Sequence, residues 1–280
     1  MTGPRMRYDL HCHSTWSDGV LPPVDLVRRA ASRGVEVLAL TDHDEIGGLR
    51  EARAAAADAG IGFVDGVEIS VSYREETLHV LGFKVDAERP ELVSALAGIR
   101  SGRDARARRI SDSLKSAGID DTYDDARALA GNEELISRAH FARVLVGRGV
   151  VRNTHDCFKS YLVPGKPGYV PHAWPAIGEG IAWIRESGGT AVLAHPGRYR
   201  FDADGMRELL AEFRDAGGVG VEIVTPAHST AQYEEYATLA RVFGLKGSVG
   251  SDFHSPDECL MDLGATPELP QGVTPVWSDW

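Results

Sequence analysis

The sequence has few cysteines, no long apolar run and a deficit of basic residues, and each shortage excludes a class of protein. Its three cysteines form neither a disulfide framework nor a CxxC pair, which favours a reducing, cytoplasmic environment. No stretch approaches the roughly 18 consecutive apolar residues needed to span a membrane. The formal net charge of −11 argues against binding long nucleic acid through a broad basic face.

The rest of the composition fits a globular chain. A hydrophobic fraction of 43% and a charged fraction of 25% allow a sizeable core, and 280 residues suit one large domain or a barrel with an insertion. Residues 1–8 are polar and lead directly into an apolar run, so a signal peptide is not expected. The acidic excess is compatible with a small anionic substrate, because bound cations would reverse the local charge. No feature indicates a protein partner.

Short apolar runs alternate with helix-like segments through most of the chain. The strand candidates are residues 7–10, 35–40, 63–67, 78–83, 190–194, 218–224 and 246–250. The helix candidates 23–33 and 48–59 are followed by Gly34 and Gly60, as helix C-termini commonly are. This alternation predicts an α/β fold with a largely parallel sheet, and seven strand candidates favour a barrel.

The alternation stops between residues 99 and 167. This segment is rich in Arg, Ala, Asp and Glu, contains no convincing strand, and is followed by a barrel-like pattern from residue 168 onwards. We therefore predict a barrel formed by residues 1–98 and 168–280, interrupted by a helical insertion domain at 99–167.

Residue types that bind metals follow nearly every apolar run. They are His11 and His13 after the first run, Asp42 and His43 after the second, Glu68 after the third, His79 within the fourth, His195 after the fifth, and Asp252 and His254 after the last. In barrel enzymes the C-terminal strand ends and the following loops build the active site, so these side chains are expected to converge.

The spacing within two of these segments suits a shared cation. Residues at i and i+2 of an extended segment point the same way, so His11 and His13 can bind one ion, and Asp252 and His254 repeat that arrangement. Glu68 has two oxygens with which to bridge two ions. Neutral imidazole and carboxylate together suit Mn, Fe or Zn.

A single histidine at a strand end is more often structural than a ligand, but six of the ten histidines at one predicted edge indicate a metal site. His155, His172 and His228 lie in loop-like contexts, and we interpret them as structural. Cys12 is expected to point away from its histidine neighbours, as a small buried residue.

Taken in order, these motifs resemble those of the PHP (polymerase and histidinol phosphatase) superfamily. They are His11-Cys12-His13-Ser14 with Asp18-Gly19, Leu40-Thr41-Asp42-His43-Asp44, Gly66-Val67-Glu68, His79, Ala194-His195-Pro196-Gly197 and Gly250-Ser251-Asp252-Phe253-His254. Within the superfamily, the whole chain is similar to nucleotide phosphatases that act on AMP and nucleoside 3′,5′-bisphosphates and are also described as trimming short RNA from its 5′ end. The resemblance implies the PHP fold, a distorted (βα)7 TIM-like barrel, with a small helical insertion domain.

The resemblance also implies a trinuclear site for three divalent metal ions, with manganese preferred and iron or zinc as alternatives. The implied ligands are His11, His13, Glu68 and Asp252 for the first ion, Glu68, His79 and His195 for the second, and Asp18, His43 and His254 for the third. No ligand position departs from the family pattern.

Hydrolysis of a phosphomonoester needs an oxygen nucleophile and neutralised phosphoryl oxygens. Because a metal lowers the pKa of its bound water towards neutrality, our hypothesis is in-line attack by a metal-bound hydroxide without a phosphoenzyme. Asp42 and His195 are candidates for helping proton transfer, and the sequence identifies no further catalytic residue.

The predicted insertion carries candidate substrate contacts. Arg103 and Arg106 are three residues apart and share a helix face, so they can bind one anionic group, whereas Arg108 and Arg109 are interpreted as solvated.

A second group of candidates follows Ser137, which is expected to cap a helix. Arg138 and His140 would then lie in the first turn, where backbone N–H groups favour a phosphate. In the resembling phosphatases, arginines at these insertion positions hold the second phosphate and the sugar side of the nucleotide. Arg198 is a further candidate contact.

We therefore expect a phosphoric monoester hydrolase that acts on small nucleotides, with short RNA as an alternative substrate. A basic insertion over an acidic ligand ring would select a second anionic group on the substrate. Histidinol-phosphate phosphatase shares the ligand set, but histidinol carries a cation and no second phosphate. An amidohydrolase usually needs a metal-bridging lysine at a strand end, which no strand candidate supplies, and a non-catalytic scaffold would have lost ligands.

Overall fold

Seven strands form one sheet in sequential order in the computed structural model, which describes residues 6–280. The strands are β1 (Tyr8–Asp9), β2 (Val37–Leu40), β3 (Gly62–Tyr73), β4 (Glu76–Phe83), β5 (Thr190–Leu193), β6 (Gly220–Val224) and β7 (Lys246–Val249). All seven predicted strands are present, and the predicted α/β barrel is confirmed. Residues 1–5, which open the predicted barrel segment, lie outside the described residues.

The sheet is brought close to a closed barrel by contacts between its first and last strands. The N–H of Leu10, just after β1, donates to the carbonyl of Val249 in β7 at 3.1 Å. Further along, Cys12 and Phe253 form a parallel bridge. Closure places the segments that follow β1 and β7 side by side.

One strand runs against the others, so the predicted parallel sheet is only partly observed. The β1–β2, β2–β3, β5–β6 and β6–β7 pairs are parallel, but β4 is antiparallel to both β3 and β5. The reversal follows from a tight connection, because only Arg74 and Glu75 separate β3 from β4. Consequently the beginning of β4 lies at the same end of the barrel as the C-terminal ends of its neighbours.

Ten α-helices accompany the strands. They are α1 (Pro23–Ser32), α2 (Leu49–Ala59), α3 (Pro90–Ser101), α4 (Arg103–Ser116), α5 (Tyr123–Leu129), α6 (Arg138–Gly147), α7 (Thr154–Cys157), α8 (Ile177–Glu186), α9 (Ala203–Asp215) and α10 (Thr230–Phe243) within residues 6–280. Helix α2 ends at Gly60, whose φ of 72° is the left-handed conformation that glycine adopts without strain. None of the helices in this described part is long and apolar enough to cross a membrane.

The two faces of β3 and β4 have different surroundings. Val67, Ile69 and Val80 belong to the main apolar core together with residues of α3, α8, α9 and α10. The alternate residues face inward, where Glu68 lies opposite Leu81 in the strand register. Leu81 belongs to a separate apolar cluster that also contains Ala39 of β2 and Val192 of β5. The inner face is therefore polar at one end and apolar at the other.

The helices between β4 and β5 have two different packing environments. Leu92, Leu96 and Ile99 of α3 belong to the main barrel core. A separate apolar cluster runs from Ala107 to Val170 and includes residues of α4, α5, α6 and α7. The division of the chain into a barrel and an insertion at 99–167 stays a prediction.

Candidate metal centre

The nine residues predicted as metal ligands lie at one end of the barrel. They are His11, His13 and Asp18 after β1, His43 after β2, Glu68 in β3, His79 in β4, His195 after β5, and Asp252 and His254 after β7. His195 and Asp252 have φ angles of 27° and 47°, which are uncommon for residues other than glycine. The backbone therefore bends sharply where β5 and β7 end, and such bends cluster at functional sites.

Glu68 is the centre of the cluster and is fully buried. Its Oε1 lies 3.0 Å from His79 Nδ1 and 3.0 Å from His195 Nε2. Its Oε2 faces three more rings, at 3.2 Å from His11 Nε2, 3.3 Å from His13 Nε2 and 3.0 Å from His43 Nδ1. One carboxylate thus faces five imidazoles.

Four overlapping groups of side-chain atoms are compact enough to hold a cation, since the atoms of each group lie within 4.8 Å of one another. The groups are His13, Asp18, His43 and His254; His11, Glu68 and His195; His11, His13 and Asp252; and His43, Glu68 and His79. Every predicted ligand belongs to at least one group. Because the groups share members, the division into three ions stays a prediction.

Unpaired polar atoms show that this cluster fits metal ions. Six buried atoms of the cluster have no hydrogen-bond partner among residues 6–280: His11 Nε2, both ring nitrogens of His13, Asp18 Oδ1, His43 Nδ1 and Glu68 Oε2. A buried polar atom without a partner is costly, so native proteins pair such atoms or use them to bind ions. Imidazole nitrogens with carboxylate oxygens are the donor set of Mn, Fe or Zn.

Burial and mutual charge shift the pKa values of the predicted ligands in different directions. Burial lowers the pKa of His13 and His43, and it lowers the pKa of His195 to about 3. For His11 and His254 burial acts in the same direction, but the neighbouring carboxylates outweigh it and raise the pKa of His11 and, to about 9, that of His254. Burial opposes ionisation of Glu68, but the surrounding histidines bring the pKa of its carboxyl well below the ordinary value. Neutral imidazole and ionised carboxylate are the forms that bind a divalent cation.

Glu222, a residue that the sequence interpretation missed, supports two of the predicted ligands. It is fully buried in β6, where its Oε1 lies 3.0 Å from His11 Nδ1 and its Oε2 accepts a hydrogen bond from the His195 N–H at 2.7 Å. A carboxylate at Nδ1 favours the tautomer of His11 whose Nε2 lone pair is free for a cation. The available signal was a lone acidic residue within the apolar run 220–224, because buried carboxylates are rare unless paired.

We expect Glu222→Gln to weaken cation binding by about 10- to 100-fold, the usual cost of losing a partner behind a metal ligand. The amide lacks the charge that holds His11 in its ligand tautomer. Titration of the metal-free protein with Mn²⁺ against a chromophoric chelator measures the affinity. Glu212→Gln is the matched control, since Glu212 accepts a hydrogen bond from Tyr73 at 2.9 Å on helix α9. Equal Mn²⁺ affinity in Glu222→Gln and the wild type would contradict the assignment.

Asp42 holds a loop instead of presenting a free oxygen to the cluster. Its carboxylate accepts hydrogen bonds from the Ser14 N–H at 2.7 Å, the Ser14 hydroxyl at 2.6 Å and the Ser17 hydroxyl at 2.5 Å. This geometry favours positioning of the segment after β1, and the proton-transfer role of Asp42 stays a prediction. His195 lies within the cluster, and its part in proton transfer stays a prediction.

Two predicted substrate arginines of α4 are buried together on one indole ring. The guanidinium carbons of Arg103 and Arg106 lie 4.7 and 5.5 Å from the ring centre of Trp174. Arg103 forms an ion pair with the buried Asp44, while its Nε has no hydrogen-bond partner among the described residues. Burial, together with neighbouring guanidiniums, lowers the pKa of Arg106 to about 9. An anion beside these arginines would relieve their mutual repulsion.

Arg138 and His140 begin helix α6, as predicted from the expected cap at Ser137. The Ser137 hydroxyl accepts a hydrogen bond from the Ala139 N–H at 3.0 Å, and His140 Nδ1 accepts one from the Ser137 N–H at 3.0 Å. His140 therefore completes the helix cap. Arg138 donates to the Leu162 carbonyl at 3.1 Å. The substrate contacts of Arg138 and His140 stay predictions.

Arg198 reaches the cluster from the 3-10 turn Pro196–Arg198. Its Nη2 lies 2.9 Å from Asp252 Oδ2, and half of its side chain is exposed. His228 supports the same turn, because its Nε2 accepts from the Gly197 N–H at 2.8 Å and its Nδ1 donates to the Ile223 carbonyl at 2.9 Å. His228 thus has structural contacts, whereas the substrate role of Arg198 stays a prediction.

Similar proteins agree on phosphoester chemistry. A family model described as the PHP domain matches residues 9–147. The chain is 46% identical over 271 residues to the 3′,5′-nucleoside bisphosphate phosphatase of Chromobacterium violaceum, covering 97% of this chain and 95% of that protein. It is 44% identical over 271 residues to a 5′-3′ exoribonuclease of Haemophilus influenzae, covering 97% of this chain and 98% of that protein.

Solved structures share the fold. A structure from Chromobacterium violaceum, described as an amidohydrolase with bound sulfate, has a TM-score of 0.94 at 46% identity and covers 97% of this chain and 94% of its own. A structure from Bifidobacterium adolescentis, described as a putative metal-dependent phosphoesterase, has a TM-score of 0.82 at 29% identity. The match covers 98% of this chain and 94% of that chain. In the present chain Lys84 follows β4 at the opposite barrel end, so it cannot serve as a metal-bridging lysine.

Proposed function

The chain belongs to the PHP domain family of metal-dependent phosphoesterases, and from that premise we propose that it hydrolyses phosphomonoesters of small nucleotides. The proposed substrates are nucleoside 3′,5′-bisphosphates and AMP, with the 5′ end of short RNA as a second candidate. The observation that carries the proposal is Glu68, one buried carboxylate facing five imidazoles. The buried Arg103, whose Nε has no hydrogen-bond partner among residues 6–280, adds to it.

The metal part of the proposal follows from the donor atoms. Three divalent ions, manganese preferred and iron or zinc as alternatives, would be held by the nine predicted ligands. When bound, such ions supply Lewis acidity towards phosphoryl oxygens and an activated water. The chain's own contribution is to present imidazoles and carboxylates in fixed positions, with Glu222 setting the tautomer of His11.

The arginines supply the proposed selectivity for a second anion. Arg103 and Arg106 share the Trp174 face, and like-charge repulsion from Arg138 contributes to lowering the pKa of Arg106. A phosphate bound among them would gain charge-assisted hydrogen bonds, which are stronger than neutral ones. A nucleoside 3′,5′-bisphosphate carries such a group at a fixed distance from its other phosphate.

Short RNA is the second candidate, because a phosphodiester next to the terminal phosphate supplies the same second anion. The exoribonuclease relative, aligned over 97% of this chain, supports this substrate. The net charge of −11 still argues against a surface that tracks long nucleic acid.

The test compares phosphate release from adenosine 3′,5′-bisphosphate, AMP, histidinol phosphate and a 5′-phosphorylated RNA trimer by Mn-loaded protein, with a chelator control. We expect chelator-sensitive turnover, highest for the bisphosphate. Arg138→Ala should lower kcat/KM for the bisphosphate about 10- to 100-fold and change AMP hydrolysis much less, since AMP lacks the second phosphate. Metal content should be unchanged.

Arg109→Ala is the matched control, because Arg109 is an exposed arginine of the neighbouring helix α4. It should leave both substrates unaffected. Preference for histidinol phosphate would overturn the nucleotide assignment, and equal losses for AMP and the bisphosphate in Arg138→Ala would overturn the second-anion pocket. Turnover confined to the RNA trimer would select the second candidate.

A further inference from the structure

Ser137 is engaged in two hydrogen bonds that join the helices after β4 to the predicted metal centre. Its hydroxyl accepts from the Ala139 N–H at 3.0 Å and donates to Asp18 Oδ2 at 3.0 Å. The side chain is buried, with 7% of the residue exposed. A serine hydroxyl has one proton to donate, so this proton is committed to Asp18.

The two oxygens of Asp18 have different surroundings. Oδ2 is held by Ser137, whereas Oδ1 is buried, has no hydrogen-bond partner among residues 6–280 and lies 3.3 Å from His254 Nε2. His43 Nε2 lies 3.9 Å from the same Oδ1. The Ser137 hydrogen bond therefore fixes the carboxylate in the orientation that turns its free oxygen towards two predicted ligands.

Ser137 also sets the start of helix α6. Its cap fixes the first turn, in which Arg138 is the first residue and His140 closes the cap from the other side. One hydroxyl thus positions a predicted ligand of the barrel and the helix that carries a predicted substrate arginine. A movement of α6 would therefore disturb the hydrogen bond to Asp18, and a movement of Asp18 would disturb the cap of α6.

We propose that Ser137 is a positioning residue that couples helix α6 to the cation held by Asp18, His43 and His254. Cation binding orders the start of α6, and docking of α6 orients Asp18 for the cation. The coupling is reciprocal, because two sites that share one equilibrium affect each other equally. The inference rests on the proposed function for the role of Arg138 but not for the link between the cation and the helix.

The first test is hydrogen exchange of the wild-type protein with and without Mn²⁺. Saturating Mn²⁺ should slow exchange of the amide protons in the first turn of α6, and it should leave the exposed start of α10 unchanged. No Mn²⁺-dependent protection of α6 would overturn the proposal. This measurement needs no variant and no enzymatic activity.

The second test separates the cap from the hydroxyl donor. Glycine is tolerated at helix N-caps but has no hydroxyl, so Ser137→Gly should keep α6 while weakening one class of Mn²⁺ site about 10- to 100-fold. The Mn²⁺-dependent protection of α6 should disappear, whereas Ser137→Thr, which keeps the donor, should preserve it. Ser229→Gly is the matched control, because Ser229 is also a serine helix cap, at the start of α10, with Gln232 closing its cap.

If Ser137→Gly bound Mn²⁺ as tightly as the wild type, Ser137 would be only a helix cap and the proposal would be overturned. The same loss in Ser229→Gly would overturn it too, since a general effect of cap removal would then explain the result. Because these readouts are metal affinity and hydrogen exchange, they hold even if no nucleotide is hydrolysed. Failure of the nucleotide assignment and failure of the coupling are thus distinguishable.

Discussion

Glu68→Gln is expected to lower kcat/KM for adenosine 3′,5′-bisphosphate on the order of 10³-fold or more. Removing a single electrostatic contact to a transition state costs about 10²- to 10³-fold, and Glu68 supports several predicted ligands at once. The glutamine amide would remove the negative charge and place N–H donors against nitrogens that a cation must share. Both oxygens of Glu68 face imidazoles at 3.0 to 3.3 Å, so neither position tolerates the amide.

The matched control is Asp65→Asn, the same chemical change three residues earlier on β3. Asp65 pairs with Arg53 at 2.7 Å on the outside of the protein. Metal content by mass spectrometry should fall in Glu68→Gln and stay at the wild-type level in Asp65→Asn. Retention of full metal content and activity by Glu68→Gln would refute the central position of Glu68.

Arg103→Met is expected to lower the free energy of unfolding by about 3–5 kcal/mol, the typical cost of breaking a buried ion pair from one side. Among the described residues, the substitution leaves the buried carboxylate of Asp44 with hydrogen bonds from Ser70 alone, whose N–H and hydroxyl donate at 2.7 and 2.9 Å. Urea unfolding followed by circular dichroism measures the loss.

Arg108→Met is the control on the same helix. Arg108 pairs with Asp104 at 3.1 Å with 58% of its side chain exposed, so its loss should destabilise the protein much less than the loss of Arg103. Combining Arg103→Met with Asp44→Asn should recover part of the stability, since the unpaired charge is removed. If Arg103→Met and Arg108→Met proved equally mild, the buried pair would have no special role in stability.

The strands were predictable because each is a short apolar run bounded by turn residues, and the ligands were predictable because they follow those runs. The direction of β4 was not predictable in the same way. The turn at Arg74 and Glu75 has no Asn-Gly or Gly signal, although Arg74 has a φ of 54°. Without that signal, the sequence pattern did not indicate that β3 and β4 form a hairpin.

The supporting contacts of the site lay beyond sequence reasoning for a different reason. Glu222 and Ser137 matter through partners 211 and 119 residues away, His11 and Asp18, and only the closed fold brings them together. Arg103 and Arg106 were predicted to share a helix face, and they share the Trp174 ring. The ion pair of Arg103 with Asp44 was missed because Asp44 belongs to the loop after β2.

The reversed direction of β4 also restricts the length of helix α3. Since β4 ends at the barrel end away from the metal centre, the chain must return to the other end before α4 can deliver Arg103, and α3 covers that distance with 12 residues, about 18 Å at 1.5 Å per residue. One residue added or removed within α3 would rotate everything that follows by about 100° around the helix axis. Length variation should therefore be tolerated in exposed turns such as that at Ala117 and Gly118 after α4, but not in α3, whose length must match the distance between the two barrel ends.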